Sequence, residues 1–159
     1  MTKENAQPYI LTLDIGTSSA RALLFDGQGR RVTSVSARET VVVRSSSDGA
    51  SEIDAVHLFD AIGRCLDTAL AQVAALGSQY TIGAVAVTTL TTTTLGLDQQ
   101  GRPLTPIFTY ADTRCGDDAA ALRRRHAERD VHQRTGCLLR TSYWPARLAW
   151  LRRTRPAVF

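Results

Sequence analysis

Between Asp54 and Gly77 the apolar residues Leu58, Phe59, Ile62, Cys65, Leu66, Ala69, Leu70, Val73 and Leu76 recur at steps of three and four. That spacing puts them on one face of a long amphipathic helix. Asp54 is a good N-cap for it, and Gly77 supplies a stop. The helix separates two strand-like regions, so the chain reads as α/β.

Upstream of the helix, residues 9–14, residues 20–25 and a longer segment ending at residues 40–43 read as three strands. Asp26-Gly27-Gln28-Gly29-Arg30 is a turn-rich pentapeptide of the kind that joins antiparallel strands, so the three form a meander. Residues 45–49 are a polar loop. Downstream, the apolar run 82–87 suits a buried strand. A further extended stretch at 93–97 is closed by the turn Asp98-Gln99-Gln100-Gly101. Helices are expected near 115–129 and 145–155, the second ended by Pro156. No internal repeat is visible. A three-strand meander, a helix and then a buried strand make up the first half of a ribonuclease-H-like unit, a mixed sheet with flanking helices.

With 159 residues, 43% of them apolar and 21% charged, the chain is long enough to bury a core as one globular domain. The first eight residues are polar and show no signal peptide, and no stretch approaches the roughly 18 apolar residues of a membrane span. A cytoplasmic protein without a membrane partner is therefore expected. Cys65, Cys115 and Cys137 are odd in number and widely spaced, which argues against a disulfide framework or a zinc site and for reduced thiols. His57, His126 and His132 have no ligand spacing and are read as surface residues. The net charge of +4 rests on arginine clusters at 123–125 and at Arg152, Arg153 and Arg155. Their interleaved apolar residues favour solvated helix faces over a nucleic-acid surface. Trp144 and Trp150 are read as core.

Asp14-Ile15-Gly16-Thr17-Ser18-Ser19-Ala20-Arg21 joins the first two strands through small residues. A glycine there lets the backbone bend sharply, while hydroxyls and main-chain N–H groups converge on one point, as an anion requires. Asp14, at a strand end, is placed to hold a divalent ion through water, and Arg21 adds a positive charge. An ordinary hairpin would use the same residues, with Asp and Gly serving the turn and the hydroxyls solvated.

The octapeptide resembles the D-x-G-T-x-x-x-R phosphate loop of the FGGY carbohydrate kinases, members of the actin-like ATPase and hexokinase superfamily. Four further stretches are similar to the N-terminal domain of that family, in the same order. They are Ser51-Glu52-Ile53-Asp54 at the start of the helix; the strand Ile82-Gly83-Ala84-Val85-Ala86-Val87-Thr88-Thr89; the turn 98–107 with Tyr110-Ala111-Asp112-Thr113-Arg114, like a W-x-D-x-R segment; and Thr135-Gly136 with Pro145-Ala146-Arg147-Leu148-Ala149-Trp150-Leu151, like a T-G…K-L-x-W helix.

The resemblance implies an actin-like ATPase fold and an N-terminal kinase domain over 1–159, truncated, with the C-terminal nucleotide-closing domain absent. It implies transfer of the γ-phosphoryl of ATP to a sugar or polyol hydroxyl, with magnesium. Asp14, Gly16, Thr17, Ser18 and Arg21 would bind phosphate, Asp14 also holding magnesium through water. Thr91, Thr92, Tyr110, Asp112 and Arg114 would bind the small-molecule substrate. The aspartate that removes the hydroxyl proton lies later in the family than this chain reaches, so no catalytic residue is expected within it and the chain alone should be inactive. The family reads its sugar with Gln-Met-His or Gln-Arg-Glu where this chain has Leu90, Thr91 and Thr92, whose hydroxyls reach less far and carry no charge. Ala111-Asp112-Thr113-Arg114 leans towards the gluconate-kinase-like branch, with xylulose-type and other polyol acceptors open. Homo-oligomerisation of a full-length enzyme is also open. The rival readings are a non-catalytic sugar or nucleotide sensor on the same scaffold and an arginine-rich nucleic-acid-binding domain.

Overall fold

The structure, a computed structural model, describes residues 8–159. The stretch before Pro8, read above for the absence of a signal peptide, lies outside the described residues. The chain divides into two compact units. The first holds residues up to Val42 together with Val56–Leu90, and the second holds Val43–Ala55 with Thr91–Phe159.

The first unit is built on a four-stranded mixed sheet. β1 (Tyr9–Ile15) pairs antiparallel with β2 (Ser19–Phe25), β2 pairs antiparallel with β3 (Arg31–Thr40), and β6 (Ile82–Thr88) runs parallel to β1 on its other side. The strand order is therefore β3-β2-β1-β6. Alternation along the strands sends Leu11, Leu13, Ala20, Ala22, Leu24, Val35 and Ala37 to one face, where they are buried with Cys65, Ala69 and Val73 of helix α1 (Ala55–Leu76). Each leucine so buried contributes about 2 kcal/mol. Alanines at 20, 22 and 69 keep the helix and sheet close, and the Cys65 thiol donates to the Ala20 carbonyl at 3.6 Å.

Two expectations are corrected here. The third strand ends at Thr40, where its register with β2 runs out, and Val43 opens a strand of the other unit. The run at 82–87 is a strand, but not a buried one. With β1 as its sole neighbour among the described residues it stands at the sheet edge, leaving Val85 57% and Val87 60% exposed. Gly83 in that strand is required by close approach, because a Cβ there would collide with the Pro8 ring.

The second unit has a small antiparallel sheet in the order β4-β5-β7, formed by β4 (Val43–Ser45), β5 (Ser51–Ile53) and β7 (Ile107–Phe108). Its helices are α2 (Gly116–Arg125), α3 (Glu128–Thr135) and α4 (Trp144–Thr154). The helix expected over 115–129 is thus two helices, since His126 caps the first, its amide donating to the Leu122 carbonyl, and a second starts at Glu128. The core gathers Phe108, Cys115, Ala119, Ala146, Trp150 and Leu151, with Phe108 and Trp150 in edge-to-face contact at 5.3 Å. Residues 93–97 form no strand and make only isolated bridges, Thr94 with Phe108 and Leu97 with Pro103. The left-handed backbone of Thr92 and the two-residue length of β7 limit the pairing.

The arginine clusters are partly tied inward. Arg123 donates to the Leu139 carbonyl at 2.6 Å, Arg153 pairs with Asp118 at 2.7 Å, and Arg155 lies over the Phe108 ring. Among the described residues no helix is long and apolar enough to cross a membrane.

Candidate phosphate loop and acceptor segment

In the first unit, Asp14 is the next-to-last residue of β1. Its register partners are Arg21 on β2 and Thr88 on β6, and Arg21 is in turn paired with Arg38 on β3. Because register partners point to the same side, Arg38, Arg21, Asp14 and Thr88 form a polar row on the sheet face opposite α1, and all four are exposed. The Leu13 row faces the helix.

The hairpin between β1 and β2 closes with the Gly16 amide donating to the Ser19 carbonyl at 3.0 Å. Ser19 is buried, and its hydroxyl accepts from Arg21 Nε at 3.1 Å, which fixes the start of the arginine side chain. Thr17 and Ser18 form the turn, with Ser18 exposed. Gly16 does not have a left-handed φ, and a Cβ added there would meet only the Ser19 carbonyl, at 3.5 Å. The sharp bend expected of it is therefore not what calls for glycine.

In the second unit, the segment 109–114 turns so that Tyr110 faces outward and Asp112 inward. Tyr110 is 54% exposed and Asp112 1%. The Asp112 carboxylate accepts from the Ser51 amide at 3.1 Å, from the Arg114 amide at 3.2 Å and from the Arg114 guanidinium at 2.6 Å. Arg114 continues to Glu52 at 2.5 Å and lies over the rings of Trp150 and Phe108. Burial alone pulls the Arg114 guanidinium down, and the hydrogen bonds to Asp112 and Glu52 outweigh it, so its pKa ends above the ordinary value. Asp112 and Arg114 are joined directly, through groups already filled by internal partners.

Thr92 is held differently. It is the only non-glycine residue with positive φ among the described residues, at 50°, a strained conformation for a β-branched side chain. Arg147 of α4 donates to its carbonyl at 3.1 Å, and also to the carbonyls of Phe108, Thr109, Asp112 and Thr141. One buried guanidinium thus gathers the Thr92 loop and the Tyr110 turn. Desolvation lowers the Arg147 pKa from its ordinary value, but an arginine stays protonated in the physiological range. Thr91 is exposed beside this clamp.

Arg147 was not singled out in the sequence. The available signal was a basic residue three and four positions before Trp150 and Leu151, on the apolar face of α4. Trp144 corrects an expectation in the other direction. It opens α4, stands 59% exposed rather than in the core, and donates its indole N–H to the Thr93 carbonyl at 3.3 Å. His57, His126 and His132 are exposed, and among the described residues no group of three or more His, Cys, Asp or Glu gathers that could cage a metal. The three cysteines are free thiols, two of them buried.

Residues 9–159 match the family model for the FGGY family of carbohydrate kinases, N-terminal domain. The chain is 37% identical over 145 residues to a glycerol kinase of Leptothrix cholodnii, covering 90% of this chain and 28% of that protein. It is 32% identical over 146 residues to a glycerol kinase of Alcanivorax borkumensis, covering 91% and 28%. Among solved structures, xylulose kinase from Rhodospirillum rubrum superposes with a TM-score of 0.86 at 28% identity, covering 94% of this chain and 30% of that one. The chain therefore spans a little over a quarter of the length of the curated relatives it matches. The fold is of the ribonuclease-H-like, actin-like ATPase kind. By its match over nearly its whole length, the chain belongs to the FGGY family of carbohydrate kinases, as an N-terminal domain.

Proposed function

We propose that this chain is the N-terminal part of a cytoplasmic kinase that transfers the γ-phosphoryl of ATP to a hydroxyl of a small sugar or polyol, with the catalytic base and the domain that closes over the nucleotide lying outside residues 1–159. The observation that carries the reading is the exposed register pair Asp14 and Arg21 beside the Gly16–Ser19 hairpin. The hairpin leaves its backbone open where fold geometry makes no demand for glycine, so a phosphate group can come close to the main chain. Arg21, steadied by Ser19, supplies a positive charge to an anion there. Thr17 and Ser18 add hydroxyl donors.

Magnesium fits this donor set. The ion keeps most of its waters and needs one or two carboxylates together with phosphate oxygens, and Asp14 is an exposed carboxylate at the loop. When bound, magnesium would neutralise charge on the phosphates. The chain's own part is to orient: Asp14 holds the hydrated ion through water, and the hairpin amides and Arg21 hold phosphate oxygens. On the acceptor side, Thr91, Thr92 and Tyr110 are the residues in reach of a substrate. Asp112 and Arg114 act by keeping the Tyr110 turn in shape rather than by touching the acceptor.

The test is calorimetric titration of the chain with a non-hydrolysable ATP analogue and magnesium. Weak binding that is lost in Asp14→Asn and Arg21→Gln supports the reading, and binding indifferent to both substitutions overturns it. Turnover belongs to a chain extended to the relatives' length, assayed against glycerol, xylulose and gluconate.

A further inference from the structure

Helix α4 reaches the Thr92 loop through two side chains. Arg147 donates to the Thr92 carbonyl at 3.1 Å, and Trp144, one turn earlier, donates its indole N–H to the Thr93 carbonyl at 3.3 Å. The next residue, Thr94, exchanges backbone hydrogen bonds with Phe108 at 3.1 and 2.9 Å in an isolated antiparallel bridge. Counted two residues outward from that bridge, Thr92 stands in register with Tyr110. In a continued ladder the two would exchange backbone hydrogen bonds and face the same side, with Cα atoms roughly 5 Å apart. The ladder stops before them, and the Thr92 carbonyl goes to Arg147 instead. Arg147, 1% exposed, fills the fork where the segments part. Its Nη1 serves the Thr92 and Phe108 carbonyls, and its Nη2 serves those of Thr109, Asp112 and Thr141. A buried guanidinium needs these acceptors in place of water, so both segments are held at hydrogen-bond length from one rigid plane.

We propose that Arg147 is a positioning residue for the acceptor: without touching it, the guanidinium sets the gap between Thr92 and Tyr110, and through that gap which sugar or polyol is preferred. The inference rests on the kinase reading, in which these two residues face the acceptor, and adds what fixes their spacing. Thr92 keeps a left-handed backbone that is costly for a β-branched residue. Such strain persists where the surroundings over-determine it, and it concentrates at ligand sites. Lysine is no substitute here, because a single ammonium cannot brace the Thr92 carbonyl with one nitrogen and the Tyr110 turn with another. All five carbonyls belong to the second unit, whereas the phosphate loop belongs to the first, so the effect falls on the acceptor and not on the nucleotide.

The test compares Arg147→Lys with the unmodified enzyme, extended to the relatives' length, on glycerol, xylulose and gluconate. The kcat/KM for the best of the three is expected to fall about tenfold or more, while KM for ATP moves by less than about twofold. The preference for that acceptor over the other two should narrow as well. Lost stability alone does not do this, and Ala119→Gly, in the core on α2, is the control: it should lower the melting temperature and leave the acceptor preference unchanged. If Arg147→Lys does not stay folded, Trp144→Phe takes its place, since it keeps a ring at an exposed site and loses the bond to Thr93. It should narrow the preference by about twofold. The proposal is overturned if the folded variant keeps the acceptor preference, if KM for ATP rises as much as KM for the acceptor, or if Ala119→Gly narrows the preference equally. In each of those cases the unmodified enzyme still phosphorylates an acceptor, and the kinase reading stands. An unmodified enzyme without turnover on any sugar or polyol of a wider panel would instead remove the kinase reading, and this inference with it.

Discussion

The Arg147 guanidinium donates to the Thr92 carbonyl at 3.1 Å, so a charge buried on α4 holds the strained backbone of the Thr92 loop. The same group serves four other carbonyls, and removing it orphans several buried acceptors at once. Arg147→Met should therefore destabilise the chain by about 3 kcal/mol or more, as read from urea unfolding. Arg147→Lys should recover only part, because an ammonium has three donors and lacks the planar fork. A loss below about 1 kcal/mol for the methionine variant would mean the carbonyls find other partners.

Asp112 and Glu52 share Arg114 but differ in burial, with side chains 2% and 25% exposed. Breaking the buried side of the pair leaves Arg114 and the Ser51 amide short of an acceptor, whereas water can replace Glu52. Asp112→Ala should cost about 3 kcal/mol and Glu52→Ala about 1 kcal/mol, and the double variant should lose less than the sum. Equal costs for the two single variants would count against the network described.

Burial raises the thiol pKa of Cys65 and Cys115, the first packed against the sheet and the second in the helical core. Cys137 is exposed. A thiol reagent at neutral pH should modify Cys137 alone until the chain unfolds. The raised folded values also fix a sign. The two buried thiols contribute stability that is fully present below the ordinary thiol pKa of about 8.5 and is lost as pH rises through the folded values, because the unfolded thiols ionise first. Melting temperature should fall above that pH, and Cys65→Ser with Cys115→Ala should flatten the fall.

Edge exposure makes a prediction about association. Val85 and Val87 pair in register with the buried Leu11 and Leu13 yet stand more than half exposed on an edge strand. An open apolar edge is a template for pairing with another chain. Val85→Lys should reduce concentration-dependent self-association in sedimentation runs while leaving the α1-covered core intact. Association unchanged by the lysine would point to another surface.

What was legible in the sequence follows from how local each signal is. The α1 stripe, the β1–β2–β3 meander and the two Asp-x-x-Gly-Arg turns are written in periodicity and turn chemistry within a few residues. Both turns close alike, with Asp26 and Asp98 accepting from the amides two and four positions on and then from the arginine side chain. The Asp14 and Arg21 pairing was also within reach, since a short hairpin sets its own register. What could not be read was which strand stands at an edge and which charge is buried. β6 has the composition of an interior strand, and its exposure depends on neighbours rather than on its residues. Arg147 looks like any helix arginine until five carbonyls from three separate segments converge on it. Thr92 carries no mark in the sequence of its left-handed backbone.

Asp14 and Arg21 lie on the exposed face of the sheet, away from the Leu13 row that meets α1, so replacing them removes little packing. Asp14→Ala should leave the melting temperature within a few degrees of the unmodified chain, as surface substitutions typically change stability by no more than about 0.5 kcal/mol. It should nonetheless abolish magnesium-dependent nucleotide binding. The unmodified 159-residue chain is expected to show no turnover of ATP with any sugar or polyol. Phosphoryl transfer needs donor, metal and acceptor hydroxyl held in line, and positioning of that kind can supply about 7–11 kcal/mol of the barrier. A loop that holds only the phosphate end contributes a small part of it. A coupled ATP-consumption assay across a panel of acceptors, run beside a circular-dichroism melt, decides the matter. Steady turnover abolished by Asp14→Ala would place the catalytic base within these residues and overturn the division of labour proposed here.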